Sequence, residues 1–352
     1  MLVLPLFWFS GSLLTSVGQD AELSAVAQSY LRVAGFGIIP ALLVMVLKSY
    51  LAALEHTRVV LAVTIVATVA NAFLNYALVF GNWGAPELGV QGAAIASVSV
   101  QVISIIGVVI YAIYALPAHR LFIRLWKPDR DVMKAVFRIG VPIGLTSLAE
   151  AGLFAASSVM MGWLGTIPLA AHGIAISLSG ATFMIHLGLS NAATVRVGNA
   201  MGRRDADHMA RGARIAIAIS VLVSVAMVIL FLSIPEVLVG VFVDADDPNR
   251  QAIIAIGVAL LLVSALFQFV DGAQAMALGL LRGVMDTRAP MIIAAFSYWG
   301  IGLPCGYIFG FTLGWGGVGV WLGLVVGLSS AAVLLMWRFW GPKLRSLRRD
   351  FA

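Results

Sequence analysis

The chain has 352 residues, of which 61% are hydrophobic and only 11% are charged, whereas a soluble globular domain carries about 25% charged residues. This composition excludes a soluble globular fold and predicts an integral membrane protein. The single cysteine, Cys305, excludes an internal disulfide framework and a cysteine-based metal cluster. The net charge of +6 is compatible with a nucleic-acid partner or with membrane topology, and the placement of the basic residues decides between them.

The apolar segments are roughly 17–25 residues long and show no two-residue alternation, which predicts membrane-spanning helices rather than barrel strands. No small-residue cleavage pattern follows the opening run Leu2–Val17, so we interpret it as a retained span and not as a signal peptide. The predicted fold class is an all-α polytopic membrane protein. Its ten spans cover, in chain order, about residues 1–17, 24–54, 59–80, 90–116, 136–162, 168–195, 212–234, 251–279, 289–311 and 316–338.

The basic residues divide the connections between spans into two sets. All Lys and Arg residues other than Arg32, Lys48 and Arg250 lie in or beside alternate connections, or in the C-terminal tail. The opposite connections carry acidic residues, namely Asp20, Glu22, Glu87, Asp244, Asp246 and Asp247. Because Lys and Arg concentrate on the cytoplasmic side of membrane proteins, both termini are predicted to be cytoplasmic. Topology therefore explains the basic balance, and no nucleic-acid partner is expected.

Two landmarks occur twice in the chain. Residues 51–60, LAALEHTRVV, align with residues 281–290, LRGVMDTRAP, and both contain a Thr-Arg pair. Residues 88–92, LGVQG, similarly align with residues 313–317, LGWGG. Both Thr-Arg pairs are predicted to be cytoplasmic, so the two copies have the same orientation. The pattern predicts a parallel repeat whose axis runs along the membrane normal.

The repeat predicts two lobes of unequal size. Residues 1–116 form an N-terminal lobe of about four spans, and 117–138 a cytoplasmic inter-lobe loop. Residues 139–340 form a C-terminal lobe that completes six spans, and 341–352 a basic cytoplasmic tail. Two spans are thus expected to be missing from the first lobe. A natural ten-span chain, a mis-called start codon and a fragment all fit this count.

Two acidic residues lie deep in predicted spans of the second lobe. Glu150 is twelve residues from the basic Arg138, and Asp271 is eleven residues from Arg282. A charged side chain at the centre of a membrane helix costs at least ~2.5–3 kcal/mol. Such a group binds an ion, relays protons or contacts a cationic substrate. The structural alternative is that each acid is protonated, or paired with a hydroxyl or amide, for packing.

Helical spacing associates other polar and aromatic residues with these spans. Phe267, Asp271 and Gln274 are at positions i, i+4 and i+7, so they share a helix face that could cradle a small or an aromatic cation. Phe267 by itself is as readily explained by packing. Asn71 and Asn75, at i and i+4, either hold helices together or line a polar cavity.

Other kinds of site are excluded or left without a signal. His172 and His186 are fourteen residues apart, roughly 21 Å along one helix, which excludes a shared metal ion and favours buried, hydrogen-bonded histidines. No phosphate-binding loop, HExxH motif or catalytic Ser/His/Asp arrangement is present. Without a nucleotide-binding region, transport energy must come from an ion gradient. No organic cofactor and no metal are expected.

Several segments resemble the MATE (multidrug and toxic compound extrusion) transporters of the NorM type. They are FRIGVPIGLTSLAEAGLFAASSVMMGWLGTIPLAAHGIAISL, TFMIHLGLSNAATVRVGNAMG, FQFVDGAQAMALGLLRGVMDTRAPM and YWGIGLPCGYIFG, and they occur in the family's order. The resemblance implies a V-shaped pair of six-helix lobes, with about ten of the family's twelve helices in this chain. It also implies a monomer in the bacterial inner membrane that exports cationic, lipophilic drugs or toxins in exchange for Na⁺ or H⁺, and no enzymatic activity.

The resemblance assigns roles to particular residues. Glu150 stands at the acidic position of the family's LAE-GLF segment, and Asp271 at the aspartate of its FQ--D segment. These two positions line the C-lobe cation site of the family. Asn71 and Asn75 match polar positions of its N-lobe cavity. The chain departs from the family at Gly173 and His186, where glutamine and proline are usual, and it lacks the family's first-span aspartate.

Two other functions fit part of the sequence. A lipid-linked oligosaccharide flippase of the same superfamily would favour a cavity rich in Arg and Lys, but the deep charges here are acidic. An intramembrane enzyme such as an aspartyl protease also uses two acids. Neither Glu150 nor Asp271 lies in a YD or GxGD setting, so efflux is the preferred interpretation.

Overall fold

The computed structural model describes residues 3–16, 20–119, 121, 123 and 129–351. The regular structure of the described residues is helical, and they contain no strand. The chain divides into two compact units, Met1–Lys127 and Pro128–Ala352. Three residues of the predicted basic loop, Arg120, Arg124 and Lys127, lie outside the described residues, as do the ends of the predicted span 1–17.

The first unit is built around one long helix, α6, which packs against α3, α4 and α5. Short 3₁₀ turns, Asn82–Gly84 and Pro117–His119, precede and follow α6. The described helices of this unit are α1 (Val3–Trp8), α2 (Ser10–Ser16), α3 (Ala21–Phe36), α4 (Ile38–Ala53), α5 (Thr57–Phe80) and α6 (Gly89–Ala115).

The prediction of ten spans was too high for the described residues. Eight helices are long and apolar enough to cross a membrane, and a bent pair raises the number to nine. The pair is α3 and α4, which form the predicted span 24–54 with a 45° bend. Pro40 explains the bend, because its ring lacks an N–H and clashes with the carbonyl of Phe36. Within residues 3–16, the described part of the opening run, the structure has α1 and α2, each far shorter than the roughly 20 residues that a spanning helix needs.

The second unit contains all six of the spans predicted for it, which confirms the helical fold class. Residues Arg288–Thr312 form one span, here called the α12–α13 segment, with π-helical turns at Phe296–Gly302 and Ile308–Thr312. Within the α12–α13 segment, α12 is Arg288–Ala295 and α13 is Leu303–Tyr307. The other helices of this unit are α7 (Arg130–Leu164), α8 (Thr166–Gly202), α9 (Ala206–Ser233), α10 (Pro235–Gly240), α11 (Arg250–Gly283), α14 (Gly316–Arg338) and α15 (Leu344–Phe351).

Helix α7 begins earlier than predicted. The carboxylate of Asp129 accepts hydrogen bonds from the backbone N–H groups of Asp131 and Val132, which caps the helix so that it starts at Arg130. Lys134 and Arg138, assigned to a loop from the sequence, therefore lie on the first turns of α7. The spacing of charges suggested a loop, but a polar helix that extends beyond the membrane has the same composition.

The repeated Thr-Arg pairs follow turns of the same construction. Glu55 and Met285, at equivalent positions, both have positive φ, 67° and 57°. In each turn the next residue's N–H bonds to a carbonyl five residues back, His56 to Leu51 and Asp286 to Leu281. These bonds form the Schellman arrangement that ends a helix. The repeat seen in the sequence therefore corresponds to a repeated helix–turn–helix connection.

Hydroxyl groups join α8 and α11, which run parallel because their partner positions rise together along both helices. Each bond crosses from a Ser or Thr of α8 to a side chain or carbonyl oxygen of α11. They are Ser179 to Ser264 (2.6 Å), Thr182 to Gln268 (2.8 Å), Ser190 to the Ala275 carbonyl (2.7 Å) and Thr194 to the Gly279 carbonyl (2.8 Å). Such bonds stabilise helix pairs inside a membrane.

A second close interface joins the α12–α13 segment to α14. Three glycines at a spacing of four residues on each element face one another in antiparallel order: Gly302 with Gly327, Gly306 with Gly323, and Gly310 with Gly319. A Cβ atom on Gly323 would lie 2.2 Å from the Cα of Gly306. The absence of side chains lets the two backbones pack directly against each other.

Candidate functional site

The second unit brings the two predicted acids, Glu150 and Asp271, into one cluster. Glu150, half-buried, projects from α7, and Asp271, 3% exposed, projects from α11. The side-chain N–H of Gln274 donates to Glu150 Oε1 over 3.1 Å. Asp271 and Glu150 are close enough for their charges to interact. The carboxylates that the sequence placed in separate spans therefore form a single buried acidic site.

A third element supplies Tyr298, which the sequence analysis did not identify. Its side chain is fully buried in the π-helical turn Phe296–Gly302, and it interacts electrostatically with both Glu150 and Asp271. A buried tyrosine hydroxyl normally has a hydrogen-bond partner. The sequence shows a tyrosine in an apolar span, which could have marked Tyr298 as a candidate. No sequence pattern indicates which helix the Tyr298 side chain faces.

Several polar atoms of this cluster have no hydrogen-bond partner in the protein. They include Asp271 Oδ1, Gln274 Oε1 and the Tyr298 hydroxyl, all buried. An unpartnered buried polar atom costs about 1–3 kcal/mol, so these three atoms are available for contacts with a cation, a proton or water. The two carbonyl-type oxygens are acceptors and the hydroxyl oxygen can also accept, which suits a cation or a proton.

The net charge of the cluster also suits a bound cation or proton. Arg282, eleven residues after Asp271 on α11, interacts electrostatically with Glu150. Two ionised carboxylates against one guanidinium leave one net negative charge in a membrane-spanning region. An uncompensated charge there is costly, and one monovalent cation or one proton balances it.

Phe267 lies one turn from Asp271 but belongs to an aromatic cluster in the core. Its ring is 2% exposed, and ring centroids of Phe154 and Trp321 lie 6.1 Å and 5.6 Å away. The indole N–H of Trp321 donates to His172 Nδ1 over 3.0 Å. The structure thus places Phe267 in packing contacts beside the acidic site, the simpler of its two sequence interpretations.

Both histidines of α8 are buried and hydrogen bonded, as predicted. Indole is only a donor, so His172 Nδ1 accepts from Trp321, and Nε2 carries the proton toward Ser158 Oγ at 3.1 Å. His186 places its ring nitrogens 2.9 Å and 3.4 Å from the hydroxyls of Ser220 and Ser224. No group of three or more His, Cys, Asp or Glu side chains that could hold a metal ion occurs among the described residues.

In the first unit, Asn71 and Asn75 bond to each other. The Asn75 amide N–H group donates to the backbone carbonyl of Asn71 at 2.9 Å and to its side-chain oxygen at 3.0 Å. Both residues are half-buried on α5. These hydrogen bonds lie within one helix, so they do not show the helix-to-helix bond that was one of the two predictions. The cavity-lining role stays a prediction.

Comparison with protein families gives one match. The MatE family model matches residues 1–77 and 142–308. A curated relative from Rhizobium meliloti (strain 1021), “Probable multidrug resistance protein NorM”, is 43% identical over 351 residues, which cover 99% of this chain and 74% of the relative. A relative of the same name from Agrobacterium fabrum is 43% identical and covers 96% and 73%.

Solved structures of MATE transporters share the fold. An outward-facing multidrug resistance MATE family transporter of the MOP superfamily has a TM-score of 0.86 at 20% identity, covering 98% of this chain and 75% of that chain. The eukaryotic MATE transporter AtDTX14 has a TM-score of 0.83 at 19% identity, covering 99% and 77%.

Proposed function

Because this chain belongs to the MatE family of integral membrane transporters, we propose that it is a multidrug efflux antiporter that exports cationic, lipophilic compounds in exchange for Na⁺ or H⁺. The observation that carries the proposal is the pairing of half-buried Glu150 with buried Asp271, which has an unpartnered carboxylate oxygen. The names of its relatives from Rhizobium meliloti and Agrobacterium fabrum support multidrug resistance as the biological role.

The charge balance of the cluster supplies a mechanism for exchange. When both carboxylates are ionised and the Arg282 guanidinium is protonated, Glu150, Asp271 and Arg282 together carry one negative charge. One monovalent cation balances that charge, so a second cation would experience like-charge repulsion in a region of low dielectric. A coupling ion and a cationic drug therefore exclude each other. Entry of Na⁺ or H⁺ down its gradient then drives release of the drug on the opposite side of the membrane.

Efflux is tested in vesicles that contain the purified chain. An imposed inward gradient of Na⁺ or of protons should drive a fluorescent lipophilic cation such as ethidium against its own gradient, and collapse of the ion gradient with an ionophore should stop it. A neutral dye of similar size serves as the control. Ethidium movement that is the same with and without either gradient would contradict antiport.

The distribution of basic residues supports a bacterial inner-membrane location with both termini in the cytoplasm, and we expect the protein to act as a monomer. After replacement of Cys305 by Ala, single cysteines at the exposed positions 83 and 246 should react with a membrane-impermeant maleimide on intact cells. Cysteines at 130 and 204 should react only after the cells are opened. Labelling of position 130 from outside would reverse the proposed orientation.

A further inference from the structure

The acidic site holds more oxygen atoms than a proton needs. A proton binds to one carboxylate oxygen, yet oxygen-bearing side chains converge here from three elements: Glu150 on α7, Asp271 and Gln274 on α11, and Tyr298 on the α12–α13 segment. Gln274 and Tyr298 are 1% and 0% exposed, and Gln274 Oε1 and the Tyr298 hydroxyl have no partner in the protein. Carboxylate, amide and hydroxyl oxygens are the ligands that hard cations prefer.

Gln274 can serve two states of the site with one side chain. Its N–H group donates to Glu150 Oε1 at 3.1 Å, which stabilises the carboxylate when no cation balances it. Its Oε1 is the unpartnered end. The terminal torsion of glutamine is broad and two-fold, so the amide can exchange its nitrogen and oxygen by turning in place. After that exchange an oxygen ligand, instead of an N–H donor, faces the carboxylates.

Tyr298 supplies a further oxygen to the site. Its hydroxyl has no hydrogen-bond partner in the protein, and the hydroxyl oxygen can act as an acceptor toward a cation. The residue lies in a π-helical turn, Phe296–Gly302. Wide turns of this kind change the direction of side chains relative to a regular helix and occur frequently at functional sites.

We propose that Gln274 and Tyr298 complete a Na⁺ site with Glu150 and Asp271, and that the Gln274 amide turns between a donor orientation without Na⁺ and an oxygen-ligand orientation with it. This inference rests on the proposed antiport and adds two further ligands to its cation site. When both carboxylates are ionised and Arg282 is protonated, their net charge of one negative unit matches a monovalent cation.

Na⁺ binding can be measured apart from transport. The purified 352-residue chain in detergent is titrated with NaCl against choline chloride at constant ionic strength. The rise in its apparent melting temperature gives the Na⁺ affinity, because a ligand that binds only the folded state stabilises it. Tyr298→Phe and Gln274→Leu should each weaken Na⁺ binding by about ten-fold or more, as expected when a contact to a charged group is lost. Tyr307→Phe and Gln251→Leu, exposed positions on the same two elements, are the controls and should bind Na⁺ like the wild type.

Gln274→Glu separates the turning amide from a simple donor. Glutamate supplies an oxygen ligand but no N–H, so Na⁺ affinity should be kept or increased in this variant. If Gln274 only donates to Glu150 in the Na⁺-free site, the loss of this donor in Gln274→Leu should leave Na⁺ affinity unchanged or increase it. A loss of Na⁺ affinity in Gln274→Glu would overturn the turning amide. An unchanged affinity in Tyr298→Phe or Gln274→Leu would overturn the ligand role of that residue.

The outcomes also distinguish this inference from the function on which it rests. A wild-type chain whose melting temperature does not respond to Na⁺ overturns the Na⁺ site, while proton-driven ethidium transport in vesicles would still support antiport. If Na⁺ raises the melting temperature of the wild type and Asp271→Asn abolishes this response, the ion site is supported. If the same wild-type chain moves no dye in vesicles, drug efflux is contradicted. Loss of affinity in both ligand variants, with both controls unchanged, supports the inference.

Discussion

Asp271→Asn should reduce gradient-driven export of ethidium by about ten-fold or more, and Glu150→Gln should do the same. A ten-fold loss corresponds to ~1.4 kcal/mol of coupling free energy. Each change keeps the shape of the side chain and removes its negative charge. Without that charge the cluster, with Arg282 nearby, no longer requires a coupling cation. Dye transport in vesicles, corrected for the amount of inserted protein, measures the effect.

The control for this prediction is Asp246→Asn, the same chemical change at an exposed acid in a connection between helices. Its export rate should match that of the wild type. Wild-type export by both Asp271→Asn and Glu150→Gln would show that the two acids serve packing. A fold defect is recognised separately, since a misfolded variant would also lose its cooperative melting transition in detergent.

Gly323→Ala should destabilise the second unit by about 3 kcal/mol or more, at the upper end of the range for added atoms in a packed core. The new Cβ would lie 2.2 Å from the Cα of Gly306, and backbone cannot move aside as a flexible side chain can. The α12–α13 segment and α14 would have to separate, and the separation would displace Tyr298. The apparent melting temperature in detergent measures the loss.

Gly144→Ala is the matched control, because a Cβ at this helical glycine of α7 meets no atom within 4 Å. Alanine favours a helix over glycine by about 1 kcal/mol, so this variant should melt at or slightly above the wild-type temperature. If Gly323→Ala were as stable as Gly144→Ala, direct backbone packing between the two elements would not be a source of stability.

The sequence identified the buried acids because their cost inside a membrane depends on local composition alone. Glu150 and Asp271 stand out in apolar spans whatever the fold, since a charge in hydrocarbon has few structural explanations. The placing of Asp271 and Gln274 on one face also needed only the helical period. Their burial to 3% and 1% exposure agrees with that spacing.

The bend between α3 and α4 is a feature of the predicted span 24–54 that composition did not predict. Residues 24–54 read as one continuous apolar stretch, and hydropathy does not distinguish a straight helix from a bent one. Pro40 was visible in the sequence. Its effect on the helix axis depends on whether neighbouring helices accommodate a bend, so the sequence predicted this span but not its 45° bend.

The sequence by itself determined that this protein is a helical membrane protein with an internal repeat and two deep acids, because these properties follow from composition and from spacing within one helix. Only the tertiary structure decided which groups meet. Gln274 and Glu150 are 124 positions apart, and Tyr298 reaches them from another helix. The glycines at 302, 306 and 310 are evenly spaced in the sequence, but their partners on α14 are fixed by how the helices pack. Contacts between helices depend on the mutual fit of whole surfaces, and no local pattern encodes that fit.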